Sequence, residues 1–337
     1  MKVVLLGGSF NPVHDGHKKI LLKAMKSVEA DEGWFVLASD PPLKDDLKVD
    51  FDVRKHFLQI MINGFTQLKV CEIERHLPVP NYTIHTIRKL KEVYPTIEFY
   101  FLIGADQAQQ FDEWYQYQEI LKEVKLIVFP REGYEPLKDL DVIMLNQETH
   151  AISSTEIRNN TSFKTHPQIL NEIALTGIYG EERLSTHLKP SRKQHSLRVA
   201  QLSVEIAKHL GMDEKLAYGI GIAHDLLKEN NEDLYLKDFE REQPQALWHA
   251  YASARYHAKR MHVKDKRFLN AIYHHTLGHS SKPYSQILFI ADKCELGRNN
   301  PHAQQIIELA KKDLNKAFNL CRKLSQEYYE RKKNESN

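Results

Sequence analysis

The sequence predicts an α/β unit built on a parallel sheet, followed by an all-α unit. Three observations carry this. Short β-rich runs alternate with helical patterns through the first half, and after about Ser162 the strand runs stop. A length of 337 residues corresponds to about two domains at roughly 150 residues each. The predicted strands are 2–6, 34–38, 69–73, 97–103, 126–129 and 142–145. Between them, 18–30 repeats apolar residues at Leu21, Met25 and Val28, 83–93 does so at Ile84, Ile87 and Leu90, and 113–124 also reads as helix. Such alternation argues for a sheet covered on both faces, with ligands bound beyond the carboxyl ends of the strands. The second half reads as helices over 196–210, 213–227, 244–261, 265–275, 284–296 and 301–331. Tyr179-Gly180-Glu181-Glu182 marks the boundary, giving domains 1–180 and 181–330 and leaving a Lys/Asn/Glu-rich end that frays.

Composition narrows the function classes. Apolar residues at 42% and charged residues at 27% exclude a fibrous or mostly disordered chain. Forty-seven Lys and Arg against 45 Asp and Glu leave +2, so no global field draws the chain to nucleic acid or anionic lipid. No basic–aromatic array appears, and neither nucleic acid nor membrane is expected as a partner. The run from Lys2 to Leu6 is too short for a signal-peptide core, and no apolar run reaches the ~20 residues of a membrane helix. Cys71, Cys294 and Cys321 lie far apart, which indicates neither a disulfide framework nor a cysteine zinc site. A cytoplasmic protein is expected. Histidine is the outlier, with 18 copies.

Gly7-Gly8-Ser9-Phe10-Asn11-Pro12-Val13-His14-Asp15-Gly16-His17 sits where the first strand hands over to the first helix. Glycines allow close backbone approach, and a helix starting near His17 points unpaired N–H groups and its positive dipole end at a ligand. His14 and His17 add donors to the same anion, so the run reads as a phosphate site, though not a Walker loop. Ile152-Ser153-Ser154-Thr155-Glu156-Ile157-Arg158 places three hydroxyls at a helix start with an arginine one turn on. Ser153 and Glu156 also suit a capping box, and the two readings are compatible.

Together these runs resemble the two signatures of the nicotinate-mononucleotide adenylyltransferase family of nucleotidylyltransferases. Pro41-Pro42-Leu43-Lys44, Glu74-Arg75, Asn81-Tyr82-Thr83-Ile84-His85-Thr86, Gly104-Ala105-Asp106, Trp114 and Arg131-Glu132-Gly133-Tyr134 agree. The resemblance implies a Rossmann-like sheet and AMP transfer from ATP, with Mg²⁺, to nicotinate mononucleotide, releasing pyrophosphate. It assigns His14 and His17 to the ATP phosphates and the transition state, beside Gly7, Gly8, Ser9 and Phe10. Ser154, Thr155 and Arg158 would hold the leaving pyrophosphate and Lys44 a phosphate. Asp106, after Gly104, would meet a ribose hydroxyl, and Trp114 would stack on the pyridine ring near Thr83. Asn11, Leu43, Asn81 and Glu132 depart from the family's usual Asp, His, Ser and Pro. Nicotinate against nicotinamide is left open, since one carboxylate against one amide separates them.

In the second half His195 lies at the start of a predicted helix, and His224-Asp225, His249, His274-His275 and Asp292 stand on predicted helices. Burying His224 and Asp225 within Gly221-Ile222-Ala223-His224-Asp225-Leu226-Leu227 costs several kcal/mol unless they are paired or metal-bound. Nitrogen and carboxylate ligands converging in a bundle suit iron, manganese, zinc or a similar divalent ion. Singly, His209, His257 and His262 read as structural. The order H…HD…D is similar to the HD-domain phosphohydrolases. Lys228, Tyr273-His274-His275-Thr276-Leu277-Gly278 and Ala291-Asp292-Lys293-Cys294-Glu295-Leu296-Gly297-Arg298 narrow it to the bacterial YqeK type, which cleaves diadenosine tetraphosphate into two ADP. The resemblance implies one metal on His195, His224, Asp225 and Asp292, and a second, bridged by Asp225, on His249 and either His274 or His275, of which His275 is chosen because it directly precedes Thr276-Leu277-Gly278. Iron or manganese leads as the ion, as one or two ions. Lys228 and Arg298 would contact phosphate. The alternatives are another nucleotide phosphohydrolase or a non-catalytic nucleotide-binding regulatory module; oligomeric state is open.

Overall fold

A computed structural model describes residues 1–39, 49–131, 133–135, 140–146, 152–228 and 230–335. Two compact units result, one of 1–157 with 164–166, the other of 158–163 with 167–337.

The first unit is a six-stranded sheet with every pairing parallel. Its strands are β1 (Lys2–Gly8), β2 (Glu32–Leu37), β3 (Leu68–Cys71), β4 (Glu98–Gly104), β5 (Lys125–Phe129) and β6 (Val142–Met144), in the order β3-β2-β1-β4-β5-β6. Val3, Val4, Leu5 and Leu6 are buried in succession, as a strand covered on both faces requires. The covering helices are α1 (Asp15–Val28), α2 (Phe51–Ile62), α3 (Thr83–Val93), α4 (Ala105–Gln109) and α5 (Tyr117–Glu123), with the short α6 (Ser154–Arg158) after β6. The strand order reverses between β1 and β4, which opens a crevice beyond their carboxyl ends. The Gly7–His17 run leaves β1 there, and Gly104-Ala105-Asp106 leaves β4.

The second unit holds α7 (Pro167–Thr176), α8 (Gly180–His187), α9 (Pro190–His209), α10 (Glu214–Ala223), α11 (Asp238–Arg241), α12 (Trp248–Arg260), α13 (Lys266–His274), α14 (Pro283–Cys294), α15 (Ala303–Ala310) and α16 (Leu314–Glu335). Two glycines set its closest approaches. A Cβ on Gly221 would lie 2.4 Å from Ala200 Cα, and one on Gly219 would lie 2.2 Å from the Leu175 carbonyl oxygen. Bare backbone on α10 therefore lets both α9 and α7 close in.

That contact explains why the compact units change over near 158–167 rather than at 180/181: α7 packs on α10 and belongs with the helices. Other differences have local causes. The helices α2, α7 and α8 lie outside the predicted set; in α2 the fully buried Arg54 interrupts the apolar stripe. Pro190, favourable in a first turn, starts α9 before 196, so His195 sits inside the helix rather than at its start. The stretch 301–331 is two helices, α15 and α16, parted at Lys311–Asp313. No described helix is long and apolar enough to cross a membrane.

Gly221→Ala should destabilise the helical unit by about 1–3 kcal/mol, because the added methyl overpacks α9 against α10. A thermal melt should place its transition several degrees lower, at roughly 2–4 °C per kcal/mol.

Candidate active sites

In the first unit the chain turns sharply after β1. Phe10 adopts a left-handed φ of 45° and packs its ring on Phe35 and His17 at 5.3 and 5.1 Å. His14 and His17 flank the start of α1 with rings stacked at 3.6 Å, and the His14 N–H donates to His17 Nδ1 at 3.2 Å. Gly16 permits this, since a Cβ there would meet the His14 ring at 3.0 Å. The second motif comes to the same place across 142 residues of sequence: Ser154 Oγ donates to the Pro12 carbonyl at 2.8 Å. Thr165 Oγ1 donates to the Val13 carbonyl at 2.8 Å, and the Ser153–Glu156 capping box forms at the head of α6. Thr155 follows Ser154, and Arg158 closes the helix one turn on.

Burial lowers His14 to about 4; Glu156 acts to raise it and Arg131 to lower it further. The ring is thus neutral at pH 7, and its buried Nδ1 has no hydrogen-bond partner among the described residues. Asp106 receives Arg131 at 2.7 Å through Oδ2, while its buried Oδ1 has no hydrogen-bond partner among the described residues. Trp114 is half-buried against Phe111 at 5.1 Å, and Thr83 opens α3. Lys44 and Glu132 lie outside the described residues. Arg54 went unread in the sequence, and Arg131 entered only through the family likeness, with no role given to it. Arg131 follows β5 beside Asp106, a strand-end position that could have signalled it. Arg54 is buried and donates to the carbonyls of Ser9, Ala38 and Val49, which pins the loop after β1 to the end of β2.

The helical unit gathers its six singled-out residues from five helices. His195 stands within α9, His224-Asp225 follow α10, His249 opens α12, His275 follows α13, and Asp292 ends α14. All six are buried. His195 Nε2 lies 3.1 Å from Asp292 Oδ1. Asp225 Oδ1 lies 3.3 Å from His249 Nε2, 3.5 Å from His275 Nε2 and 3.8 Å from His224 Nε2. The Nε2 atoms of His249 and His275 are 3.3 Å apart. Two groups, His195–His224–Asp292 and His224–Asp225–His275, each keep their ligand atoms within 4.8 Å of one another. His274 is only half-buried and packs on Tyr273, so His275 is the member facing the cluster.

Backbone carbonyls orient the rings. Nδ1 of His224 faces the Gly221 carbonyl at 2.6 Å and Nδ1 of His275 faces that of Ile272 at 2.7 Å. A carbonyl only accepts, so each Nδ1 carries the hydrogen and Nε2 faces inward. Burial takes His224 to about 4 and His249 to about 3, leaving both neutral at pH 7. Burial alone would raise the Asp225 carboxyl, but His224, His275, His249 and Lys228 hold it well below the usual carboxylate range. Asp292 is held down in the same way by Lys293, His195 and Arg298. The buried His224 Nε2 and Asp225 Oδ1 have no hydrogen-bond partner among the described residues. Neutral imidazoles, ionised carboxylates and orphaned inward atoms fit a divalent cation.

Glu295 also went unread as a site residue. Its buried carboxylate faces His195 Nδ1 at 3.0 Å, accepts from Arg198 Nε and receives the Gly297 N–H at 2.6 Å. It lies a hundred positions from His195, so no local spacing advertises it. Lys228 meets Asp225 Oδ2 at 3.2 Å, and Arg298 meets Asp292 Oδ1 at 2.8 Å.

Sheet, switch-point loop and buried cluster together define a two-part nucleotide enzyme. Residues 5–160 match the cytidylyltransferase-like family model and 192–297 the HD domain, which with its His/Asp groups is a divalent-metal fold. A probable nicotinate-nucleotide adenylyltransferase of Bacteroides thetaiotaomicron is 33% identical over 180 residues, covering 50% of this chain and 89% of its own. Proteins of Mycoplasma pneumoniae and Mycoplasma genitalium, each named probable nicotinate-nucleotide adenylyltransferase/Ap4A hydrolase, are 27% identical. They cover 95% and 96% of this chain and 98% of their own. The chain belongs to the nicotinate-nucleotide adenylyltransferase family.

Glu295→Gln should weaken divalent-metal binding by about 10–100-fold, measured by metal titration, because His195 loses the partner that orients it. Acid should weaken the chelator-treated protein. The unfolded chain protonates its imidazoles near the ordinary 6.5, whereas buried His14 and His224 resist until about 4. The unfolded state therefore binds more protons in that window, and melting temperature should fall between pH 7 and pH 5.

Proposed function

We propose a bifunctional enzyme. One unit transfers AMP from ATP to nicotinate mononucleotide, giving deamido-NAD and pyrophosphate. The other hydrolyses diadenosine tetraphosphate symmetrically to two ADP. One observation carries the reading: His14 and His17 stack at the head of α1 and six buried histidines and carboxylates converge in the helical unit, in a chain whose Mycoplasma relatives bearing both names align nearly end to end.

In the transferase the mononucleotide's phosphate oxygen attacks the α-phosphorus of ATP, and the bond to the pyrophosphate oxygen breaks. No covalent enzyme intermediate is needed, so the protein's contribution is positioning and charge stabilisation. His14, neutral in the free protein, donates a hydrogen bond to the ATP phosphates with His17 beside it. Gly7, Gly8, Ser9 and Phe10 shape the turn that Arg54 pins. Ser154, Thr155 and Arg158 hold the leaving pyrophosphate and Lys44 a phosphate. The free Oδ1 of Asp106 accepts a ribose hydroxyl after Gly104, and Trp114 with Thr83 receives the pyridine ring. Mg²⁺ accompanies ATP.

In the hydrolase His195, His224, Asp225, His249, His275 and Asp292 hold one or two ions, iron or manganese in preference. A bound ion supplies activated water near neutral pH and neutralises phosphate charge. Lys228 and Arg298 hold the substrate's phosphates against the cluster. The location proposed is the cytoplasm.

The two activities should separate by substitution. His224→Ala should abolish release of ADP from diadenosine tetraphosphate and leave pyrophosphate release from ATP and nicotinate mononucleotide unchanged. His17→Ala should do the reverse, with the transfer rate down by about 10²-fold or more. A wild-type protein that performs neither reaction sinks the proposal, and one substitution that removes both activities sinks the independence of the sites.

A further inference from the structure

The cluster lies against a cleft of about 1380 Å³ within the helical unit. Ordinary small-molecule sites occupy roughly 300–1,000 Å³, so this one has room for a ligand longer than a mononucleotide. His249, His275 and Asp292 line one part of it, and Tyr328 and Tyr329 of α16 line another. Between these lie cations: Lys293, bonded to Asp292 Oδ2 at 2.7 Å and within electrostatic reach of Tyr329, and Arg298.

The helical period explains how the tyrosines come to be there. Cys321, Leu324, Ser325, Tyr328 and Tyr329 fall on one face of α16, spaced three or four apart, and all five line the cleft. At the start of that helix Phe318 is anchored on Phe289 at 5.4 Å, and Cys321 is fully buried. Eight residues further on the stripe ends in two aromatic rings that are 51% and 63% exposed, 5.9 Å apart. Large aromatic surface beside cations in a long cleft suits a flat base attached to a polyphosphate.

We propose that Tyr329, with Tyr328 beside it, is the stacking platform for one nucleoside base of a dinucleoside polyphosphate whose phosphates run along Lys293 and Arg298 to the buried cluster. This rests on the hydrolase reading above and deepens it by placing the far nucleoside on α16, beyond the matched HD region.

The test uses the full metal-loaded chain and a methylene-bridged, non-hydrolysable analogue of diadenosine tetraphosphate in equilibrium dialysis. Tyr329→Ala should weaken analogue binding about tenfold relative to wild type. Tyr329→Phe, which keeps the ring and loses the hydroxyl, should bind like wild type. Inorganic tetraphosphate, which has no base, should bind all three proteins equally. Analogue binding at the transferase site is common to all three and cancels in the comparison. Unaltered binding to Tyr329→Ala, equal weakening of inorganic tetraphosphate, or no binding of the analogue to wild type overturns the platform. Binding that changes as expected in a protein that hydrolyses no diadenosine tetraphosphate upholds the platform and sinks the hydrolase.

Discussion

A buried imidazole that is tied at one nitrogen and bare at the other is what the helical site depends on. Leaving a buried polar atom unpaired costs about 1–3 kcal/mol. Here His224 Nε2 and Asp225 Oδ1 are both left so, side by side. The arrangement holds because the opposite nitrogens use carbonyls at helix ends. Gly221 and Ile272 lie in the last turns of α10 and α13, where helical partners run out, and the Ile272 oxygen takes the His275 ring hydrogen as well as the His275 backbone N–H at 3.5 Å. Their oxygens take the His224 and His275 Nδ1 hydrogens and aim both rings inward. Ending two helices at one place thus supplies the tethers and the ligands together.

The other unit works from the opposite end of a helix. His14 and His17 stand at the start of α1, where the positive dipole end favours an anion, although the Asp15 N–H already donates to the Lys164 carbonyl and the His17 N–H to that of His14. In the cluster, His224, Asp225, His275 and Asp292 stand at the carboxyl ends of α10, α13 and α14, where the negative dipole ends favour a cation, while His195 and His249 come from the early turns of α9 and α12. Histidine serves in both units because a neutral ring can donate through one nitrogen or offer a lone pair through the other.

Much of this was legible in the sequence, for reasons that differ by element. The strands read clearly because burial on both faces gives unbroken apolar runs, and α3 read clearly because Ile84, Ile87 and Leu90 keep helical spacing. The strand–glycine–helix order marks the turn at which the His14 and His17 rings stack. What escaped depends on distant pairing. Arg54 looks like a surface residue until the carbonyls of Ser9 and Ala38, far along the chain, and of Val49 nearby are seen to converge on it. Glu295 looks like one more charge in a polar stretch until α9 brings His195 and Arg198 to it. The changeover between compact units near 158–167 is not legible in the sequence because α7 alone does not reveal that Gly219 receives it.

The charges around the cluster give its two carboxylates divided tasks. Asp225 turns Oδ1 toward three imidazoles and gives Oδ2 to Lys228; Asp292 turns Oδ1 toward His195 and gives Oδ2 to Lys293. Each lysine thereby fixes the carboxylate's rotation without taking its inward oxygen. Arg298 reaches further, to Asp292 Oδ1 and to within 3.4 Å of His195 Nε2. Asp225, Asp292 and Glu295 are thus met by Lys228, Lys293, Arg298, Arg192 and Arg198, an excess of positive charge even before any metal is counted. A cation entering the cluster raises that excess, and only a multiply charged anion relieves it. The local electrostatics therefore favour a polyphosphate over a neutral or singly charged ligand, though the chain as a whole carries only +2.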